Sequence, residues 1–188
     1  MIYISTAETM ADLEGILQLQ QANLVQNLPA DEVQSQGFLI AMHTLEILKR
    51  QNDIERHVVA RDGGPVVAYL LAMTKASKHD LPVLVAMFDE FDSLLFKGRP
   101  VAQYNYMVVG QACVDKRYRG SGILDDCYRT YRGLYSGRYD FAITEIAGAN
   151  HRSLRAHQRI GFEEIHAYVD PRGTEWRICC WDWKKKVP

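Results

Sequence analysis

Between Val114 and Leu124 the chain reads Val-Asp-Lys-Arg-Tyr-Arg-Gly-Ser-Gly-Ile-Leu, a basic stretch with two glycines between a β-rich run and an amphipathic one. At a strand-to-helix junction the first backbone N–H groups of the helix have no internal acceptor, and the helix dipole adds positive potential, so such a loop suits a pyrophosphate. Gly120 and Gly122 permit close backbone approach, Ser121 adds a hydroxyl donor, and Lys116, Arg117 and Arg119 supply charge. The same residues also fit an ordinary basic surface turn. A P-loop is excluded, because no glycine precedes Gly-Lys-Ser/Thr by the required spacing. A dinucleotide fingerprint is disfavoured, because Asp125 stands near where its third glycine belongs. Farther on, Glu145 sits among Phe141, Ile143 and Ile146, where a carboxylate serves either as a general base or as the partner of an arginine. Tyr106 and Gln111 could position a water or a substrate, and His151 is expected to face solvent.

These groups need elements to hold them. Residues 2–5 alternate as a short strand, and Thr6 opens a helical pattern through Met10, Leu13, Ile16, Leu17 and Leu19. Pro29-Ala30-Asp31 breaks that helix, and Phe38–Met42 with Leu45–Leu48 predicts a second helical region interrupted at Thr44, a candidate N-cap. His57–Arg61 and Pro65–Met73 flank Asp62-Gly63-Gly64 as a hairpin. Leu81–Leu95 is periodic as a helix that covers a sheet edge or shapes a pocket. Tyr104–Val114 is a strand entering the basic loop, and Ile123–Tyr135 is an amphipathic helix with Gly137 as its expected cap. Phe141–Ile146 is a strand, Asn150 caps a helix that Gly161 ends, and Ile165–Val169 and Trp176–Trp183 form a final hairpin. The order predicts an α+β fold in one domain, residues 1–188: a mixed sheet with helices on both faces.

Composition narrows the function classes. A hydrophobic fraction of 47% and a charged fraction of 24% are ordinary for a globular chain, and a formal charge of −1 gives no global field toward nucleic acid or an anionic membrane. No apolar run approaches the ~20 residues of a membrane span, and the amino terminus lacks a secretory pattern, so a cytoplasmic location is expected. Cys113, Cys127, Cys179 and Cys180 lack the paired spacing of a metal site and read as small buried residues; no metal is expected. Lys184–Lys186 reads as a solvated tail, and Trp176, Trp181 and Trp183 as core or dimer contact.

Tyr118-Arg119-Gly120-Ser121-Gly122-Ile123, following its strand and Val114, resembles motif A of the GNAT (GCN5-related N-acetyltransferase) family, whose core is Q/R-x-x-G-x-G/A. Arg119 and Gly122 take the first two fixed positions, and Leu124 stands where glycine or alanine is usual; a frame shifted to Arg117 fits the pattern literally. Asn150-His-Arg-Ser153, continuing through His157 to Gly161-Phe162, resembles motif B, Asn-x-x-Ala-x-x-x-Tyr-x-x-x-Gly-Phe. The resemblance is strongest over residues 104–165.

What this resemblance implies is a mostly antiparallel sheet with two splayed parallel strands, and acetyl-CoA lying in the gap between them as acyl donor. Carried over by position, Cys113 and Val114 offer backbone groups to pantetheine, Asn150 and Ser153 line the same arm, and Arg119, Gly120, Ser121, Gly122, Ile123 and Leu124 form the pyrophosphate site. The implied reaction is direct attack of an amine, on a small molecule or a protein, upon the thioester. His157 replaces the tyrosine usually assigned to protonate the leaving thiolate; an imidazolium of pKa ~6.5 donates downhill to a thiolate of ~8.5. Glu145 is the candidate base. The rival reading is an acyl-CoA-binding or sensing module that no longer catalyses. A homodimer is the family expectation, and the acceptor has no motif.

Overall fold

The computed structural model describes residues 1–184, so Lys185 and Lys186 of the expected solvated tail lie outside the described residues. Strand β1 (Ile2–Thr6) leads into α1 (Met10–Asn23), which starts at Thr9 rather than Thr6 because Thr9 and Asp12 close a reciprocal capping box. Two helices follow, α2 (Ala30–Gln36) and α3 (Leu45–Ile54), the latter capped by Thr44 as expected. Next come β2 (Val58–Asp62), β3 (Val66–Met73), and α4 (Pro82–Ser93) with proline in its first turn. After the short pair β4 (Leu95–Phe96) and β5 (Arg99–Pro100) come β6 (Met107–Val114), α5 (Ile123–Tyr135), β7 (Phe141–Ala147) and α6 (His151–Ile160). The chain closes with β8 (Glu163–Val169) and β9 (Glu175–Asp182).

Seven strands form one sheet in the order β1-β2-β3-β6-β7-β9-β8, and every neighbouring pair is antiparallel except β6 with β7. Helices cover both faces. On one, α5 buries Ile123, Cys127, Tyr128 and Tyr131 against Leu70, Ala72, Met107 and Val109. On the other, α1 and α3 pack on Val59, Tyr69 and Leu71, while Leu84, Met87, Phe88 and Phe91 of α4 pack on Val108, Phe141 and Ile143. Alternate residues of β3 and β7 thus serve opposite layers, as the two-residue period requires.

Four expectations are corrected. Pro29 does not merely end a helix: α1 stops at Asn23, and Pro29 opens the short α2. Phe38–Met42 is an extended strap, not a helix. Gly37 ends α2 at φ +81°, and Leu39 then donates to the Asn23 carbonyl (2.9 Å) and accepts from Val25 N–H (2.9 Å), so backbone partners distant in sequence override the local apolar pattern. The strand expected from Tyr104 begins at Met107, and α5 ends at Tyr135 with Ser136, not Gly137, as its cap.

Candidate functional site

The parallel pair β6/β7 is joined over only two registers, Met107↔Ala142 and Val108↔Ile143, although β6 remains paired with β3 as far as Val114 and β7 with β9 as far as Ala147. Beyond Val108 the two strands part. A bulge in β6 contributes, because Leu70 and Ala72 of β3 face Ala112 and Val109, two steps against three. Gly110 lies in this bulge, where a Cβ would collide with Met73 Cε. The splay opens a cleft of about 890 Å³, within the range of small-molecule sites.

The basic loop and the start of α5 form one end of the cleft. Gly120 (φ +82°) and Gly122 (φ +87°) occupy left-handed backbone that favours glycine, and a Cβ at either would meet nothing within 4 Å. The cradle is therefore open. Gly122 occupies the N-cap of α5 and, among the described residues, no side chain caps the helix, so the N–H groups of its first turn are left open toward a ligand. Arg119 ties the loop to its surroundings, donating to the Val114 carbonyl (3.1 Å) and to Asn23 Oδ1 (2.7 Å). Arg152, Arg155 and Arg159 of α6 also line the cleft.

Glu145 lies on the cleft wall, and its carboxylate accepts a hydrogen bond from Tyr168 Oη at 2.7 Å. Burial disfavours the charged form and pushes its pKa up to about 7, against the opposing pull of the Tyr168 hydroxyl. Gln111 reaches the cleft too, but its amide is committed: Oε1 accepts from Gln20 (2.7 Å) and Tyr69 (2.6 Å), and Nε2 donates to the Ala41 carbonyl (2.9 Å).

His157 borders the cleft at the α6 side, and its Nδ1 lies 2.8 Å from the Ser153 carbonyl. A carbonyl only accepts, so Nδ1 carries the proton, and Nε2 accepts from Tyr128 Oη at 2.6 Å. Burial lowers the His157 pKa to about 4, so the ring is neutral at physiological pH. The imidazolium donor expected from sequence is not the form this environment favours.

No protein-family model and no curated protein sequence matches this chain. Solved structures do. The chain superposes on a protein in the NatC complex bound to Gag peptide and CoA at a TM-score of 0.66, with 10% identity over 97% of this chain and 99% of the other. A ribosomal-protein-alanine N-acetyltransferase from Brucella melitensis gives 0.62 with 19% identity over 96% and 99%. A GNAT-family acetyltransferase from Bacillus cereus gives 0.61 with 13% identity over 98% and 99%. The chain has the GNAT acetyltransferase fold. At these identities the likeness concerns the fold alone.

Within that GNAT fold the predicted residues separate into groups. Cys113, Val114, Arg119, Gly120, Gly122, Ile123, Leu124, Glu145, Asn150, Ser153 and His157 all line the one cleft. Ser121 does not: it is exposed, and its hydroxyl donates to the Tyr118 carbonyl (2.6 Å). Arg117 pairs with Asp115 and Lys116 approaches Glu32, so Arg119 alone of the three loop cations lines the cleft. The amide of Asn150 is spent internally, capping α6 at Ser153 N–H (3.2 Å) and donating to the Phe38 carbonyl (3.1 Å). Tyr106 donates to Asp92 inside the α4 layer, and His151 is exposed. Trp181 and Trp183 are core, whereas Trp176 reaches the cleft. Burial raises the Cys113 and Cys127 thiols to about 12, which favours the neutral thiol at both. Sequence reasoning missed Tyr168, Tyr128, the strap and the α6 arginines. Only the arginines left a signal, their i, i+3, i+7 spacing. Among the described residues no cluster fit to hold a metal ion is present, and no helix is long and apolar enough to cross a membrane.

Proposed function

We propose that this chain acts as one domain that transfers an acetyl group from acetyl-CoA to an amine by direct attack on the thioester. The observation that carries the reading is a single cleft, opened by the β6/β7 splay, with an uncapped helix N-terminus at one end and a carboxylate of pKa about 7 on its wall. Acetyl-CoA supplies the activated acyl thioester. The first-turn N–H groups of α5, with Gly120 and Gly122, would bind its pyrophosphate, and the edge of β6 that β7 leaves open, at Cys113 and Val114, would bind pantetheine beside the Val114 carbonyl that Arg119 holds. Asn150 and Ser153 act by fixing the start of α6 and the strap.

Glu145 takes the proton that the incoming ammonium must lose, and with a pKa near 7 about half of it is ionised at neutral pH. Tyr168 holds its carboxylate in place. A thiolate of pKa ~8.5 is a competent leaving group at that pH and recovers its proton from solvent. His157, neutral and bonded at both nitrogens, positions α6 against Tyr128 rather than donating a proton. The splayed cleft and the uncapped helix N-terminus, without the carboxylate, would equally serve the second reading, a GNAT-fold domain that senses acyl-CoA without catalysis.

The test is titration calorimetry with acetyl-CoA alongside thiol release against a panel of amines and amino-terminal peptides. Binding with release is the expected result. Binding without release leaves the sensor, and absence of binding removes both readings.

A further inference from the structure

We propose that the acceptor is the α-amino group of a polypeptide whose first side chain is large and apolar. The proposal rests on the reading above, that acetyl-CoA occupies the cleft and Glu145 receives the amine proton. Glu145 shares its side of β7 with Phe141 and Ile143, which pack under α4, whereas α5 lies on the opposite face of the sheet. With the phosphate-binding loop at α5, the acceptor reaches Glu145 from the α4 side.

On that side the wall is apolar. Leu84 and Met87 of α4 line it, and Val83, Ile40 and Met42 stand at its rim, 43%, 42% and 54% exposed. Exposed aliphatic side chains gathered around an entrance mark a binding surface. Charge narrows the occupant further. Among the described residues lining the cleft there are five arginines and two carboxylates, Asp125 and Glu145. Asp125 is held by Arg159, which leaves Glu145 to receive one ammonium. A polyamine or other polycation would find no second carboxylate for a further ammonium among the described residues of the lining. One amine beside an apolar group fits.

The strap favours a peptide over a small apolar amine. It runs extended along the cleft, and among the described residues the backbone groups of Ile40 and Met42 meet no protein partner. An extended chain entering with its amino end toward Glu145 finds main-chain donors and acceptors there, as in strand-addition recognition.

Thiol release is measured for peptides of one length and one downstream sequence that begin with Leu, Met, Gly or Lys, with spermidine as the polycation; acetyl-CoA binding is followed separately by calorimetry. The Leu and Met peptides are expected to exceed the Gly peptide in kcat/KM by about tenfold or more. Val83→Asp and Met42→Asp, both at exposed positions, should raise KM for the Leu peptide about tenfold while the acetyl-CoA Kd stays unchanged. Equal or faster release with Gly, Lys or spermidine overturns the proposal, as does acetyl-CoA binding with no release from any peptide. Failure to bind acetyl-CoA instead overturns the underlying acetyl-transfer reading.

Discussion

Replacing Tyr168 with phenylalanine removes one hydroxyl, 2.7 Å from the Glu145 carboxylate, and leaves the ring in its packing. That hydroxyl stabilises the charged form and opposes the burial that has already pushed the Glu145 pKa up to about 7. A hydrogen bond to a charged group is worth about 1.5–3 kcal/mol, and each pH unit corresponds to about 1.4 kcal/mol, so its loss moves the titration midpoint up by about 1–2 pH units. Glu145 is partly accessible, which favours the lower end. At pH 7 the ionised fraction then falls from about a half to about a tenth, a loss of about fivefold in kcat/KM if the carboxylate is the base. The sign is specific: the deficit should vanish as pH rises toward 9.5 and widen to about tenfold below pH 7. Initial rates of thiol release from pH 5.5 to 9.5, for wild type, Tyr168→Phe and Glu145→Gln, check this. Glu145→Gln should lose about 10²–10⁴-fold and flatten the acid limb. A Tyr168→Phe deficit that is the same at every pH, or an unmoved acid limb, would refute the assignment of Glu145 as base.

Gly122→Asp places a side chain at φ +87° and a carboxylate beside the open N–H groups, so acetyl-CoA affinity measured by calorimetry should fall by about 100-fold or more; unchanged affinity shows that the phosphate site lies elsewhere. His157→Ala should lower stability by about 2 kcal/mol or more through loss of buried packing and of the Tyr128 partner, seen in denaturant melts, yet leave the shape of the pH–rate profile intact. A new acid limb in that variant would restore His157 as a proton donor. Asn150→Ala removes the α6 cap and the tie to Phe38, so it should cost about 1–2 kcal/mol and speed amide exchange across Gly37–Met42; unaltered exchange there would show that the strap is held by other contacts.

Local chemistry sufficed for much of this molecule. The capped and glycine-ended α6, the span of α5, the hairpin at Asp62-Gly63-Gly64 and the basic loop between β6 and α5 were legible because capping residues, periodicity and glycines act over a few neighbours. Two motifs in order sufficed to indicate the GNAT fold, although no family model matches the chain. What the sequence could not decide depends on partners remote along the chain. Phe38–Met42 has a helical pattern, but hydrogen bonds to Asn23, Val25, Gln111 and Asn150 hold it extended over the cleft. The histidine at position 157 is a plain titratable residue in sequence, and only the Ser153 carbonyl, the Tyr128 hydroxyl and burial make it neutral. Glu145 was visible as an odd carboxylate in an apolar strand, but its pKa comes from the layer packed over it and from Tyr168, which joins it through the pairing of β7, β9 and β8. Sequence thus determined most of the elements and the basic glycine loop; tertiary structure decided protonation, the extended strap and the apolar wall of the cleft, because dielectric and long-range contact exist only once the sheet is assembled.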